Sequence, residues 1–170
     1  MNFQLIFIIM LALGFDFLNG INDSSNIVAT MISSRAIPPR TALIMTAIAE
    51  FSGPFIFGVA VAKTIGDEIV KPGIMTMDMI MAALISAVGW NLITRAVGVP
   101  SSSSHAMIGG LTGAVASSVG WNAIKLAGIG KVLIVLFTSP LIGFSVGFLI
   151  TKIIFFLAQG ATPKINIIFK

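Results

Sequence analysis

Long apolar runs separated by short polar segments dominate the pattern of this 170-residue sequence. Five runs have the length of a membrane-crossing or shorter helix, at residues 3–33, 41–62, 78–97, 101–119 and 126–157. A bilayer-crossing helix needs about 20 apolar residues, and all but the fourth run meet that length without difficulty. Polar residues interrupt the first run, so we expect a broken first helix. Pro140 predicts a kink or a break in the last run.

The fourth run, residues 101–119, differs from the others because it is short, polar at its start and rich in glycine. This favours a re-entrant helix, an element that occurs in membranes only where it lines a cavity. The whole pattern predicts an all-α integral membrane protein: a transmembrane helix bundle with a broken first helix and a re-entrant helical hairpin. Whether four or five segments cross the membrane stays open.

Composition restricts the class of protein further. Hydrophobic residues make up 56% of the chain, charged residues only 9%, and mean hydropathy is +1.05. Soluble domains carry about 25% charged residues, so a soluble enzyme is excluded. The net charge is +4, but the cations stand singly at the ends of apolar runs, which is typical of membrane-flanking anchors. We expect the lipid bilayer and not nucleic acid as a partner, and a multi-pass location in the cell membrane.

Polar residues inside the first run form the first candidate site. They are spaced by three and four positions, so on a helix they share one face: Asn19, Asn22, Asp23 and Asn26. A carboxylate inside a membrane is costly and usually faces a cavity or a partner. One carboxylate among amide oxygens suits a hard monovalent cation, so Asn22, Asp23 and Asn26 are predicted to bind a cation such as Na⁺. Helix capping by Asn22 or Asp23 is the alternative, but it accounts for one residue only.

The segment that starts at Pro100 is the second candidate site. Four serines and the single histidine of the chain follow this proline: Ser101, Ser102, Ser103, Ser104 and His105. A helix that begins after a proline leaves several backbone N–H groups free, and the positive end of its dipole favours an anion. The hydroxyls add donors without adding a positive charge. A serine-rich loop with His105 bonded to a backbone carbonyl is the alternative. A lone histidine without cysteine lacks the ligands of a zinc-type site.

Glu50 is a carboxylate near the middle of the second run. At that depth it would pair with a cation, become protonated or coordinate an ion, and we include it among the predicted cation ligands. Arg95 is its candidate partner by residue type. Asp16 is also placed within an apolar run and could belong to the same cavity. Several glycines are predicted to permit close helix packing, namely Gly109, Gly110, Gly113, Gly143 and Gly147.

Three of these segments together resemble the inorganic phosphate transporter (PiT) family. Residues 20–26, Gly-Ile-Asn-Asp-Ser-Ser-Asn, are similar to the GANDVANA-type signature of that family. Residues 100–106 resemble its second signature, P-[ST]-S-[ST]-H-A, and residues 49–53 resemble its second-helix glutamate segment. The matches stand in the family's order and cover residues 14 to 145. The chain departs from the first signature at Ile21, Ser24 and Ser25, where the family usually has Ala, Val and Ala.

The resemblance implies a function as well as a fold. Family members contain two copies of this unit in opposite membrane orientations, so we expect one half of an inverted-repeat transporter. The second repeat is expected beyond residue 170, and the two halves of the transporter would be partners. Phosphate would be held by Ser24, the serines at 101–104 and His105. Na⁺ would be the coupling ion, with Asp23 as its charged ligand and with no cofactor; a homodimer is left open.

Asn22 favours Na⁺ coupling, because proton-coupled bacterial members of the family often have histidine at that position. Proton-coupled transport of phosphate or a related oxyanion is therefore the main alternative. An intramembrane serine hydrolase that uses one of the serines at 101–104 with His105 is a rival from another class. The sequence lacks a Gly-x-Ser-x-Gly elbow, and we expect the protein not to be an enzyme. A phosphate-sensing or structural membrane subunit is the third possibility.

Overall fold

The computed structural model describes residues 3–57, 68–99 and 101–159. Within these ranges the α-helices in chain order are α1 (Phe3–Ser33), α2 (Pro39–Phe57), α3 (Met77–Val97), α4 (Ser103–Val119) and α5 (Leu126–Ala158), with a 3₁₀ turn at Trp121–Ala123. In the same ranges β-structure is limited to an isolated bridge between Val70 and Ile124. The predicted all-α class is confirmed. The part of the second predicted helix at residues 58–62 lies outside the described residues.

Three of the described helices are long and apolar enough to cross a membrane, by length and composition: Phe3–Ser33, Met77–Val97 and Leu126–Leu157. Many of their large apolar side chains are exposed, among them Phe17 on α1 and Ile93 on α3. Water-soluble proteins rarely expose contiguous apolar surface on this scale. The chain is a membrane protein, as its composition predicts.

Helix α1 is continuous from Phe3 to Ser33, so the predicted break in the first helix is wrong. The hydroxyl of Ser24 donates to the carbonyl oxygen of Ile21 at 3.4 Å, and that of Ser25 donates to the carbonyl oxygen of Asn22 at 2.7 Å. Short polar side chains can bond back to the preceding turn in this way while the helix continues. The polar segment is therefore part of a continuous helix and does not end it.

Helices α1 and α3 lie side by side and run in the same direction. Near their starts, Gln4 donates to the Oδ1 atom of Asp78 at 2.6 Å. Further along both helices, Arg95 in the last turn of α3 donates to the Oδ1 atom of Asn22 in the second half of α1 at 3.5 Å. Between these polar contacts the helices share a buried apolar core, made of Ile8, Phe15, Leu84 and Ala87. This parallel pairing fixes which residues of α3 face the polar segment of α1.

Helices α3 and α4 form an antiparallel hairpin. The hydroxyl of Thr76 accepts the N–H of Met79 and caps the start of α3, and Gly98 ends it in the left-handed region with φ of 75°. A Cβ atom on Gly110 would stand 2.7 Å from the carbonyl oxygen of Ala83, so only glycine permits this approach of α4 to α3. The predicted role of glycine in close packing is thus confirmed at Gly110. At Gly109 and Gly113 an added Cβ would meet nothing within 4 Å.

The chain divides into two compact units, residues 1–126 and 127–170. Nearly all of α5 belongs to the second unit. The helix continues through Pro140, so of the kink or break predicted there, the break is wrong and the kink stays a prediction. Just before the proline, the hydroxyl of Thr138 donates to the carbonyl of Ile134 at 2.9 Å, and that of Ser139 to the carbonyl of Val135 at 2.6 Å.

Candidate functional site

Two open clefts lie in the first unit, and Ser101 lines both of them. The first, which we name the polar cleft, has a volume of about 390 Å³ and is lined by Ile21, Asn22, Ser25, Asn26, Thr94, Arg95, Gly98, Val99 and Ser101. The second, which we name the hairpin cleft, has a volume of about 640 Å³ and is lined by Ser86, Gly89, Trp90, Ile93, Ser101, Ser102, His105, Ala106, Gly109 and Gly110. The two segments singled out in the sequence therefore meet at Ser101.

The polar segment of α1 contacts both other helices that form the clefts. Asn22 and Asn26 line the polar cleft, and the Oδ1 atom of Asn22 accepts the hydrogen bond from Arg95. One turn earlier, the Oδ1 atom of Asn19 accepts a short hydrogen bond from the hydroxyl of Ser103 on α4. The amide side chains of α1 thus tie this helix to α3 and to α4.

Three of the predicted site residues on α1 and α2 lie apart from these clefts. Asp23 is half-buried on α1 and lines neither cleft. The Ser24 hydroxyl is bonded to its own helix, and Ser24 lines neither cleft. Glu50 is exposed on α2 and also lines neither. The partner that the structure gives Arg95 is Asn22 and not Glu50, because α3 packs alongside α1 with Arg95 at the level of Asn22.

The serines after residue 100 occupy different settings. Ser101 accepts the indole N–H of Trp90 at 2.9 Å. Ser102 is the N-cap of α4, with its hydroxyl oxygen 3.4 Å from the backbone nitrogen of His105. Ser103 is buried against Asn19, whereas Ser104 and His105 are exposed. Only Ser101, Ser102 and His105 of this group line a cleft.

The start of α4 directly follows the linker that joins it to α3. The N–H of Ala106 donates to the carbonyl of Ser102 and opens the helical ladder, while the N–H of His105 is capped by the Ser102 hydroxyl. The backbone N–H groups of Ser103 and Ser104 precede that ladder, where a helix leaves its donors without intrahelical partners. Such a helix start attracts negative charge.

Asn91 is a candidate site residue that the sequence pattern did not single out. Its side chain is 1% exposed, and neither Oδ1 nor Nδ2 has a hydrogen-bond partner among the residues that the structure describes. Buried amides are nearly always bonded, so an orphan of this kind requires an explanation. Asn91 lies one turn before Arg95 on α3. The sequence signal that could have identified Asn91 is an amide side chain four positions before an arginine in a largely apolar helix.

The donor atoms around the polar cleft are chiefly amide and hydroxyl groups, with Arg95 as the one charged residue of its lining. Within the described ranges, no group of three or more His, Cys, Asp and Glu side chains is placed to hold a metal ion. Amide and hydroxyl oxygens are hard ligands, which suit alkali and alkaline-earth cations better than transition metals.

Comparison with known proteins gives consistent results. The chain is 42% identical over 159 residues to a protein of Rhizobium meliloti (strain 1021) described as "Probable low-affinity inorganic phosphate transporter", a match that covers 94% of this chain and 48% of that protein. A Bacillus subtilis (strain 168) protein with the same description is 43% identical over 151 residues, which cover 88% of this chain and 45% of that one. The chain spans about half the length of these relatives.

A solved structure described as "The sodium-dependent phosphate transporter" matches with a TM-score of 0.83 and 30% identity, over 97% of this chain and 42% of that chain. The model of the phosphate transporter family matches residues 19–169, a range that includes both polar segments and all the residues of both clefts. By this match, the chain belongs to the phosphate transporter family.

Proposed function

We propose that the protein carries inorganic phosphate across the cell membrane, driven by a cation gradient with Na⁺ as the coupling ion, and that this chain acts as one repeat of the transporter. The family and the descriptions of the relatives support phosphate as the substrate. The sodium dependence of the structural neighbour supports Na⁺ as the coupling ion. The chain spans about half of its relatives, which supports its role as one repeat.

The observation that carries this proposal is the meeting of two chemically different segments at the polar cleft. The amide side chains of Asn22 and Asn26 supply neutral oxygens from α1. Ser101 enters the same cleft from the linker before α4, two positions before that helix begins. One segment offers acceptors for a cation and the other offers donors for an anion.

Juxtaposed cation and anion ligands are what a symporter needs. A bound cation offsets part of the phosphate charge, so each ligand binds more tightly when the other is present. Asp23, next to Asn22 in sequence, contributes a full negative charge near the cation position in this proposal. Ser102 and His105 would extend the anion path into the hairpin cleft, which they line.

Radiolabelled phosphate uptake into liposomes tests the proposal, with the full-length polypeptide that contains this chain. We expect an inward Na⁺ gradient to drive uptake, and equal gradients of K⁺ or choline to drive none. Uptake driven by a pH gradient without Na⁺ would replace sodium by proton coupling. Absence of phosphate uptake under every gradient, with folded protein in the vesicles, would overturn the proposal.

The same preparation tests the serine hydrolase rival. Among the described residues, the side-chain hydrogen bonds of Ser101, Ser102 and Ser103 involve Trp90, the His105 backbone and Asn19, and none joins a serine hydroxyl to the His105 ring. A fluorophosphonate probe should therefore leave the serines at 101–104 unlabelled. Covalent labelling of one of them would favour the hydrolase.

A further inference from the structure

Arg95 is the charged residue in the lining of the polar cleft, and the proposal for transport gives it no role. It lies in the last turn of α3, lines the polar cleft, and shares that lining with Asn22 and Ser101. The guanidinium donates to the Oδ1 atom of Asn22 at 3.5 Å, the upper limit of a hydrogen bond. A guanidinium has five N–H donors in a planar fork, so a single long bond leaves most of its capacity available.

The positive charge of Arg95 has no carboxylate partner among the described residues. Glu50, the partner expected from residue type, is exposed on α2 and is absent from the cleft lining. Asp23 is next to Asn22 in sequence but also lies outside that lining. Arg95 is exposed in the last turn of an apolar helix, so its guanidinium is accessible to an anion that enters the cleft. An anion in the cleft would supply the negative charge that the described residues do not provide.

The cleft fits an anion in both size and donors. Its volume of about 390 Å³ exceeds the roughly 30 Å³ that one water molecule occupies by an order of magnitude, which leaves room for a hydrated tetrahedral ion. The Ser101 hydroxyl stands in the same lining. An arginine fork binds two oxygens of one oxyanion at once, a geometry that lysine cannot reproduce.

We propose that Arg95 binds the transported oxyanion in the polar cleft and so acts as an affinity-determining residue for phosphate. This inference rests on the proposed function. It adds a permanent positive charge to a site whose other predicted phosphate ligands are serine hydroxyls and His105. The Nη1 atom of Arg95 lies 3.5 Å from the Oδ1 atom of Asn22, which places the guanidinium beside the α1 lining of the cleft.

The test compares the phosphate KM of Arg95→Gln, Arg95→Lys and wild type in uptake by the full-length protein. We expect Arg95→Gln to raise the phosphate KM about tenfold or more, as loss of a hydrogen-bonded charge pair implies, with kcat changed much less. Arg95→Lys keeps the positive charge but loses the planar guanidinium, so its phosphate KM should lie between that of wild type and that of Arg95→Gln. Arg40→Gln is the matched control, because it removes the same charge from an exposed position outside both clefts.

Lipid headgroups carry the same phosphate chemistry, so the assay is run in vesicles of zwitterionic lipid and in vesicles with added anionic lipid. Free phosphate as the ligand predicts the full KM effect in both. An effect confined to anionic vesicles would assign Arg95 to lipid and overturn the inference. So would a wild-type phosphate KM in both Arg95 variants, or a change in Na⁺ dependence alone. If Arg95→Gln does not fold, the phosphate KM of Arg95→Lys decides.

The assay also separates the two proposals. If the wild-type protein transports no phosphate, the proposed function is refuted. If wild type transports phosphate and the Arg95 variants are unaffected, only the role of Arg95 is refuted.

Discussion

The polar segment of α1 and the start of α4 meet at one cleft, yet they present opposite chemistry. In α1 the backbone is continuous through Asn19 and Asn26, so its N–H and carbonyl groups are used within the helix. Only side chains are available there: amides, one carboxylate, and the hydroxyls of Ser24 and Ser25, which bond to their own helix. At α4 the chain starts a helix after an irregular linker, so backbone N–H groups and serine hydroxyls are available. A continuous helix thus offers acceptors that suit a cation, and a helix start offers donors that suit an anion.

The two segments are also in direct contact through a hydrogen bond between their side chains. The hydroxyl of Ser103, the first residue of α4, donates to Asn19 on α1. Ser103 is 4% exposed, so this bond is shielded from solvent. A hydrogen bond in such a setting positions the start of one helix relative to the polar face of the other.

The largest effect on uptake is expected when the α1 polar segment loses its carboxylate. Asp23→Asn removes the only carboxylate of the α1 polar segment, so Na⁺-driven phosphate uptake should be lost while the protein remains folded in detergent. Asp16→Asn makes the same change on an exposed position of α1 outside both clefts and should retain uptake. Initial rates of radiolabelled phosphate uptake measure both. Wild-type rates and unchanged Na⁺ dependence in Asp23→Asn would remove the cation role of this residue.

A smaller effect is expected on the anion side. Ser101→Ala removes the one hydroxyl that lines both clefts, and a hydrogen bond to a charged group is worth about 1.5–3 kcal/mol. The phosphate KM should therefore rise about tenfold or more, with little change in the apparent affinity for Na⁺. Ser117→Ala, which alters a hydroxyl bonded to its own helix on α4, serves as control. A shift in the Na⁺ affinity alone would reverse the assignment of the two segments.

The smallest effect concerns the placement of α4, on which the anion side depends. Gly110→Ala forces a Cβ atom to within 2.7 Å of the Ala83 carbonyl oxygen, and overpacking of this kind costs roughly 1–3 kcal/mol. The midpoint of thermal denaturation in detergent should fall by several degrees. Gly113→Ala adds the same methyl group to the same helix where nothing lies within 4 Å, so its midpoint should stay at or above that of wild type. Equal midpoints for the two variants would contradict the described packing of α4 on α3.

Local features of the sequence account for much of the fold. Helix α3 was predicted from residue 78 to 97 and runs from Met77 to Val97, because Thr76 caps its start and Gly98 ends it in the left-handed region. Apolar run length similarly indicated the membrane class. The break predicted in α1 failed for an identifiable reason. Polar residues in an apolar run do not by themselves interrupt a helix, because the hydroxyls of Ser24 and Ser25 donate to carbonyl oxygens of the preceding turn while the helix continues.

Contacts between distant segments could not be predicted in the same way. Asn22 and Arg95 are 73 residues apart, and Asn19 and Ser103 are 84 residues apart. Their pairing depends on the parallel register of α1 and α3, which the apolar core around Phe15 and Leu84 sets. Residue type alone therefore suggested Glu50 as the partner of Arg95. The predicted grouping of Asn22 and Asn26 is found in one cleft, because helical spacing determines it locally.

The measurement that tests the account most directly is the coupling of Na⁺ and phosphate binding to the full-length protein. Isothermal titration gives the phosphate Kd at a series of Na⁺ concentrations, with choline keeping the ionic strength constant, and the Na⁺ Kd with and without phosphate. Adjacent cation and anion segments predict that Na⁺ lowers the phosphate Kd and that phosphate lowers the Na⁺ Kd by the same factor. A phosphate Kd that does not change with Na⁺ concentration would contradict the account.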